Sequence, residues 1–137
     1  MAVALDHVGI ASPDPGSPLA GLLSAPAGPA AAGRVMPSGV TVARFGPGDT
    51  LELVWPARPG TPVDAFLERR GPGLHHVALR VDEALGDLRG RLLAAGTEVI
   101  GAVDFSADGR PCLFVHPRCT GGVLVELVQG PRPGSAA

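Results

Sequence analysis

Two parts of this 137-residue chain repeat one another, and that repeat limits the possible folds more than any other feature. Leu5-Asp6-His7-Val8-Gly9-Ile10-Ala11 aligns with Leu74-His75-His76-Val77-Ala78-Leu79-Arg80, and Leu51-Glu52-Leu53-Val54 aligns with Val125-Glu126-Leu127-Val128. The interval from His7 to Glu52 is 45 residues and from His76 to Glu126 is 50, so both pairs recur in the same order at nearly the same spacing. A duplicated supersecondary unit accounts for both at once.

The periodicity between these landmarks gives the unit its form. Ala4 to Ala11 is a strand candidate with the pattern of Leu74–Arg80, and it stops at the turn chemistry of Ser12-Pro13-Asp14-Pro15. Residues 16–33 are mostly Gly, Pro, Ala, Ser and Leu, and Pro26 and Pro29 allow at most a two-turn helix there. A weak strand is expected around Arg34 to Met36. A hairpin is expected from Val40–Phe45 and Thr50–Trp55 about Gly46-Pro47-Gly48-Asp49. Thr61 as N-cap, Pro62 behind it and Gly71 beyond predict a short helix over 63–70.

The second copy opens with a strand at Gly73–Val81. A helix over Asp82–Ala95 follows, with Asp82 as cap, Leu85, Leu88 and Leu92 on one face and Gly96 at its end. Strands are expected at Thr97–Gly101, Pro111–Val115 and Val123–Gln129. The expected class is α+β: two βαβββ modules pairing into a half-open mixed β-sheet cleft, with the first helix truncated. Residues 1–137 form one domain, with module one over about 4–56, a connector over 57–72, module two over about 73–129 and a tail over 130–137.

Composition excludes more than it assigns. The formal charge of −2 lacks the basic surplus of a phosphate-backbone binder, so no nucleic-acid partner is expected. No apolar run approaches the roughly 20 residues needed to span a bilayer, and no secretory leader pattern opens the chain, so a cytoplasmic protein without a membrane partner is expected. Cys112 and Cys119 are too few for a disulfide framework and are expected to be reduced.

The chemistry lies in the repeat. Period-two geometry sends His75 and His76 to opposite faces, and His76 is the one with a counterpart, His7. Glu52 and Glu126 each sit mid-strand among apolar residues, where a carboxylate is costly to bury unless paired, hydrogen-bonded or bound to a cation. In an open sheet either one alone can simply face solvent. The His…Glu repeat makes that reading less economical: two modules paired about a pseudo-twofold axis bring two imidazoles and two carboxylates together. Two nitrogens and two oxygens suit one divalent ion such as Co²⁺, Mn²⁺, Ni²⁺ or Zn²⁺, with a position open to substrate. His75 is expected in the core, and His116, beside a strand end, is a weak ligand candidate. Arg34, Arg44, Arg110 and Arg118 offer bidentate donors for phosphates but are expected as surface charge.

Taken together, Leu5-Asp6-His7-Val8-Gly9-Ile10-Ala11, Leu67-Glu68-Arg69-Arg70-Gly71 with Gly73-Leu74-His75-His76-Val77-Ala78, and Phe114-Val115-His116-Pro117 with Thr120-Gly121-Gly122-Val123-Leu124-Val125-Glu126-Leu127-Val128 resemble the methylmalonyl-CoA epimerases. These belong to the vicinal-oxygen-chelate, or glyoxalase I-like, superfamily of paired βαβββ modules. The resemblance implies that His7, Glu52, His76 and Glu126 bind a divalent metal and that Glu126 also moves the α-proton of an acyl-CoA. It further implies a homodimer acting on a small-molecule substrate. Family members usually carry a second acid just before the glycine of the third strand; here that place is Pro37-Ser38-Gly39, with no acid. A glyoxalase I-type lyase, another metalloenzyme of the superfamily and a metal-free antibiotic-binding protein are the alternatives.

Overall fold

A computed structural model of the chain describes residues 2–14, 34–45 and 50–132. The expected short helix within residues 16–33, the Gly46–Asp49 turn and the last five residues of the tail lie outside them. The described residues group into two compact units, one of residues 7–14, 34–45 and 50–75, the other of residues 2–6 and 76–132.

The first unit holds strand β1 (Val3–Ala11) from His7 onward, β2 (Arg34–Val35), β3 (Val40–Phe45), β4 (Leu51–Pro56) and helix α1 (Pro62–Arg70). Its strands lie in the order β2-β3-β4-β1. β3 runs antiparallel to β4, as a hairpin must, and β1 runs parallel to β4 with Gly9 opposite Glu52. Ala43, Phe45 and Leu53 fill one face of this sheet, while Ala11 and Val54 on the other pack against Val63, Phe66 and Leu67 of α1. α1 starts where its sequence predicts: the Thr61 hydroxyl accepts from the Asp64 N–H and the Asp64 carboxylate accepts from the Thr61 N–H at 2.8 Å, a complete capping box.

The second unit contains β5 (Gly73–Val81) from His76 onward, helix α2 (Leu85–Ala94), β6 (Val99–Phe105), β7 (Pro111–Val115) and β8 (Leu124–Gln129). Its order, β5-β8-β7-β6, repeats that of the first unit. β5 is parallel to β8 with Ala78 opposite Glu126, and β7 is antiparallel to β8. A parallel pair needs a crossover, and α2 belongs to it, burying Leu85 and Leu88 against Val81, Leu113 and Val115. Gly86 and Gly90 each cost α2 up to about 1 kcal/mol of helix propensity, so this leucine face holds it.

The start of α2 differs from the sequence expectation. Its N-cap is Ala84, with no side-chain cap; the Leu85 N–H instead donates to Gln129 Oε1 at 3.0 Å. Asp82 accepts from the Ala2 N–H at 3.2 Å. A glutamine at the end of β8 thus does the work assigned to Asp82, a substitution invisible locally because Gln129 lies 44 positions from the Leu85 N–H it accepts from. The helix end is as expected: Gly96, at φ 82°, lets Thr97 N–H reach Leu92 O and Gly96 N–H reach Leu93 O, a Schellman closure. β6 also runs on to Phe105, past the expected stop at Gly101, with a register shift between Ile100 and Asp104 where the left-handed Gly101 sits.

Candidate functional site

The two His–Glu pairs stand in identical registers. In β1 the residue two beyond His7 lies opposite Glu52, and in β5 the residue two beyond His76 lies opposite Glu126. Alternation then puts each imidazole and its carboxylate on the same sheet face. His7 Nε2 is 3.4 Å from Glu52 Oε2, and His76 Nε2 is 3.4 Å from Glu126 Oε2. All four are buried, at 0, 5, 3 and 5% exposure respectively. Neither Glu faces solvent, as it would in an open sheet.

A 3.4 Å separation is long for a hydrogen bond. It is a natural spacing for adjacent ligands of a divalent ion, whose distances to imidazole nitrogen and carboxylate oxygen are about 2.0–2.2 Å. Each pair offers one borderline nitrogen and one hard oxygen and no thiolate, a donor set able to hold a divalent metal. The residues present therefore fit the implied ion.

The surroundings of the two carboxylates differ. Arg44, directly across the hairpin from Glu52, donates from Nε to Glu52 Oε2 at 2.9 Å, with 11% of its side chain exposed. The residue in the equivalent register across from Glu126 is Phe114. Glu126 has Ala78 opposite in β5, and Cys112, Phe114 and Val128 share that apolar cluster. Arg44 is therefore a member of the site that sequence reasoning took for surface charge. The sequence placed Arg44 and Glu52 on consecutive strands of one hairpin, but the expected turn over 46–49 sets Arg44 against Leu51, and the one-residue difference in register that brings it to Glu52 belongs to the fold.

Cys112 faces Val128, two residues beyond Glu126 on the same face of β8. Burial, with the Glu126 charge beside it, pushes its thiol up to about 12. Cys119 is exposed. A neutral-pH thiol reagent is accordingly expected to modify Cys119 alone in the folded protein, and Cys112 only after unfolding. Mass spectrometry of the alkylated protein checks this; rapid labelling of Cys112 would contradict its burial.

The remaining candidates settle into structural roles. His75 packs edge-on against Phe66 of α1, ring centroids 4.9 Å apart. His116 caps the 3₁₀ turn Pro117–Cys119, its Nδ1 accepting the Arg118 N–H at 3.1 Å. From there Thr120 donates to the Val123 carbonyl, and Gly121 and Gly122 adopt φ 73° and 93° to close the turn into β8. The His-Pro…Thr-Gly-Gly string thus sets the entry to the strand that carries Glu126. Arg118 pairs with Glu98 at 3.1 Å on the surface. Arg110 is no surface charge: it is 5% exposed and makes a two-pronged ion pair with Asp6 at 2.8 and 2.9 Å.

Asp108 completes that cluster. Burial opposes its ionisation, but hydrogen bonds from Arg110 and Ser106 more than offset this and hold it at about 2. A carboxylate held low contributes stability that is present above its ordinary range near 4 and lost as pH falls toward 2. Asp108→Asn is expected to flatten the acid limb of a pH–melting curve between those values while leaving its upper part parallel to wild type. An unchanged acid limb would remove Asp108 from the account.

The duplicated half-sheet with a His–Glu pair in each copy defines a class, the Glyoxalase/Bleomycin resistance protein/Dioxygenase superfamily, whose sequence profile matches residues 6–114. Within that superfamily the chain belongs to the methylmalonyl-CoA epimerase family. It is 37% identical over 130 residues to the ethylmalonyl-CoA/methylmalonyl-CoA epimerase of Cereibacter sphaeroides, covering 91% of this chain and 96% of that one. The crystal structure of methylmalonyl-CoA epimerase from Mycobacterium tuberculosis superposes with a TM-score of 0.77 at 29% identity, covering 97% of this chain and 91% of that one. A methylmalonyl-CoA epimerase in complex with methylmalonyl-CoA and NH4+ superposes at 0.78 with 27% identity, covering 92% and 93%. The mixed sheet of paired modules expected from the repeat is the fold of these epimerases. Among the described residues no helix is long and apolar enough to cross a membrane.

Proposed function

We propose that this chain is a metal-dependent methylmalonyl-CoA epimerase-type isomerase, removing and returning the proton α to the thioester carbonyl of an acyl-CoA such as methylmalonyl-CoA. The observation that carries this is the pair of buried His–Glu sets in identical registers, in a chain with the fold and sequence of those epimerases. His7, Glu52, His76 and Glu126 hold one divalent ion of the Co, Mn, Ni or Zn type, in one domain spanning the chain. The same reading takes the protein to be a cytoplasmic homodimer.

When bound, the ion supplies Lewis-acid polarisation of the thioester carbonyl, which lowers the cost of the enolate. Glu126 takes the α-proton. Its carboxylate is fixed mid-strand by the β5–β8 register, and Phe114, Cys112 and Ala78 form an apolar wall that keeps water from competing for it. Return of the proton to the opposite face needs a second carrier. The turn at Pro37–Gly39, closed by Gly39 N–H to Met36 O at 2.9 Å, offers no acid. Exchange with solvent requires one base whereas inversion requires two, so exchange is expected to outrun inversion. Incubating the Co²⁺-loaded protein with methylmalonyl-CoA in deuterium oxide is expected to wash deuterium into the α-carbon. No exchange at saturating Co²⁺ would overturn the assignment.

A further inference from the structure

We propose that Arg44 is a charge-setting residue of the site: paired with Glu52, it offsets the charge of that ligand, so that the loaded site is one charge more positive than it would be without Arg44 and favours an anionic substrate. This rests on the four-ligand reading above. The duplication supplies its own control. Glu52 and Glu126 occupy equivalent places in the two copies, and the residue directly across from each is the arginine of β3 in one and a phenylalanine of β7 in the other. The repeat is thus symmetric in its ligands and asymmetric in the residue that faces each carboxylate across the hairpin.

The pairing is close and shielded. Arg44 Nε meets Glu52 Oε2 at 2.9 Å, the same oxygen that lies 3.4 Å from His7 Nε2, and the two side chains are 11 and 6% exposed. At such burial the interaction is weakly screened by solvent or salt. A carboxylate has lone pairs enough to accept from Arg44 and still face His7. Removing the Arg44 guanidinium therefore leaves the ligand set one charge more negative, both before a divalent ion enters and afterwards. An anionic acyl group, or the enolate that follows its deprotonation, therefore meets stronger attraction while Arg44 is present.

This arithmetic yields a compensation test that a purely structural arginine would not pass. Arg44→Met makes the apo site more negative, Glu52→Gln makes it less so, and the double variant restores the wild-type charge with neither ionic partner. Calorimetric titration with Co²⁺ is expected to show about tenfold tighter binding in Arg44→Met, about tenfold weaker binding in Glu52→Gln and affinity within a few-fold of wild type in the double variant. On the Co²⁺-loaded proteins, malonate is expected to bind several-fold more weakly to Arg44→Met and to recover in the double variant. If wild type takes up no Co²⁺, the four-ligand reading itself fails. If wild type binds Co²⁺ but Arg44→Met binds it equally or more weakly, or the double variant fails to recover malonate, Arg44 does not set the charge and the proposal is overturned.

Discussion

Glu126→Gln is expected to lower α-proton exchange by about 10²- to 10⁴-fold, the usual worth of a positioned general base. The replacement keeps the volume of a side chain that is 5% exposed, so the fold has little to rearrange. What is lost is the ability of an atom beside His76 Nε2 to accept a proton and to present a charged oxygen to a cation. Far-UV circular dichroism close to wild type, with exchange near background, is the expected pair of results. Exchange within tenfold of wild type in a folded Glu126→Gln protein would show that another group takes the proton. Glu52 is the natural comparison. Its carboxylate is already engaged by Arg44, so Glu52→Gln is expected to act mainly through metal affinity and to recover activity at higher Co²⁺.

The largest loss of stability is expected from Arg110→Ala. Its guanidinium is buried among Asp6, Asp108 and the Gly130 carbonyl, tying β1 to the β6–β7 connection and to the segment after β8. Removing one member of a buried pair costs about 3–5 kcal/mol, because the remaining charge stays desolvated without its partner. For a domain of this size that corresponds to a fall in Tm of roughly 10–20 °C. Asp6→Ala is expected to cost a similar amount and the double variant little more than either, since both remove the same pair. Additive losses in differential scanning calorimetry would show that the two side chains act separately. Asp6 immediately precedes His7, so a slackened β1 is also expected to weaken Co²⁺ binding.

Much of the fold was legible because it is written in local rules. The strand that carries His76, the capped α1, the Schellman end of α2 and the turn into β8 all follow from residues within a few positions of one another. The His…Glu repeat went further, since two matched pairs at matched spacing fix equivalent places in two copies of a unit. The misreadings share a cause. Asp82 looks like the cap of α2 until Gln129 arrives from another strand, and Arg44 and Arg110 look like surface charges until their carboxylates appear across a hairpin and 104 residues away.

By itself the sequence determined the repeated order of strands, the residues that pair imidazole with carboxylate and the absence of an acid at Pro37-Ser38-Gly39, because each is a matter of residue type and spacing. Only the tertiary structure decided which side chains surround each charge. It buried Glu52 against Arg44 and Glu126 against Phe114 and Cys112, and it sank Arg110 between two aspartates. Pairing strength depends on distance and on exclusion of water, and neither exists until strands remote in sequence lie side by side.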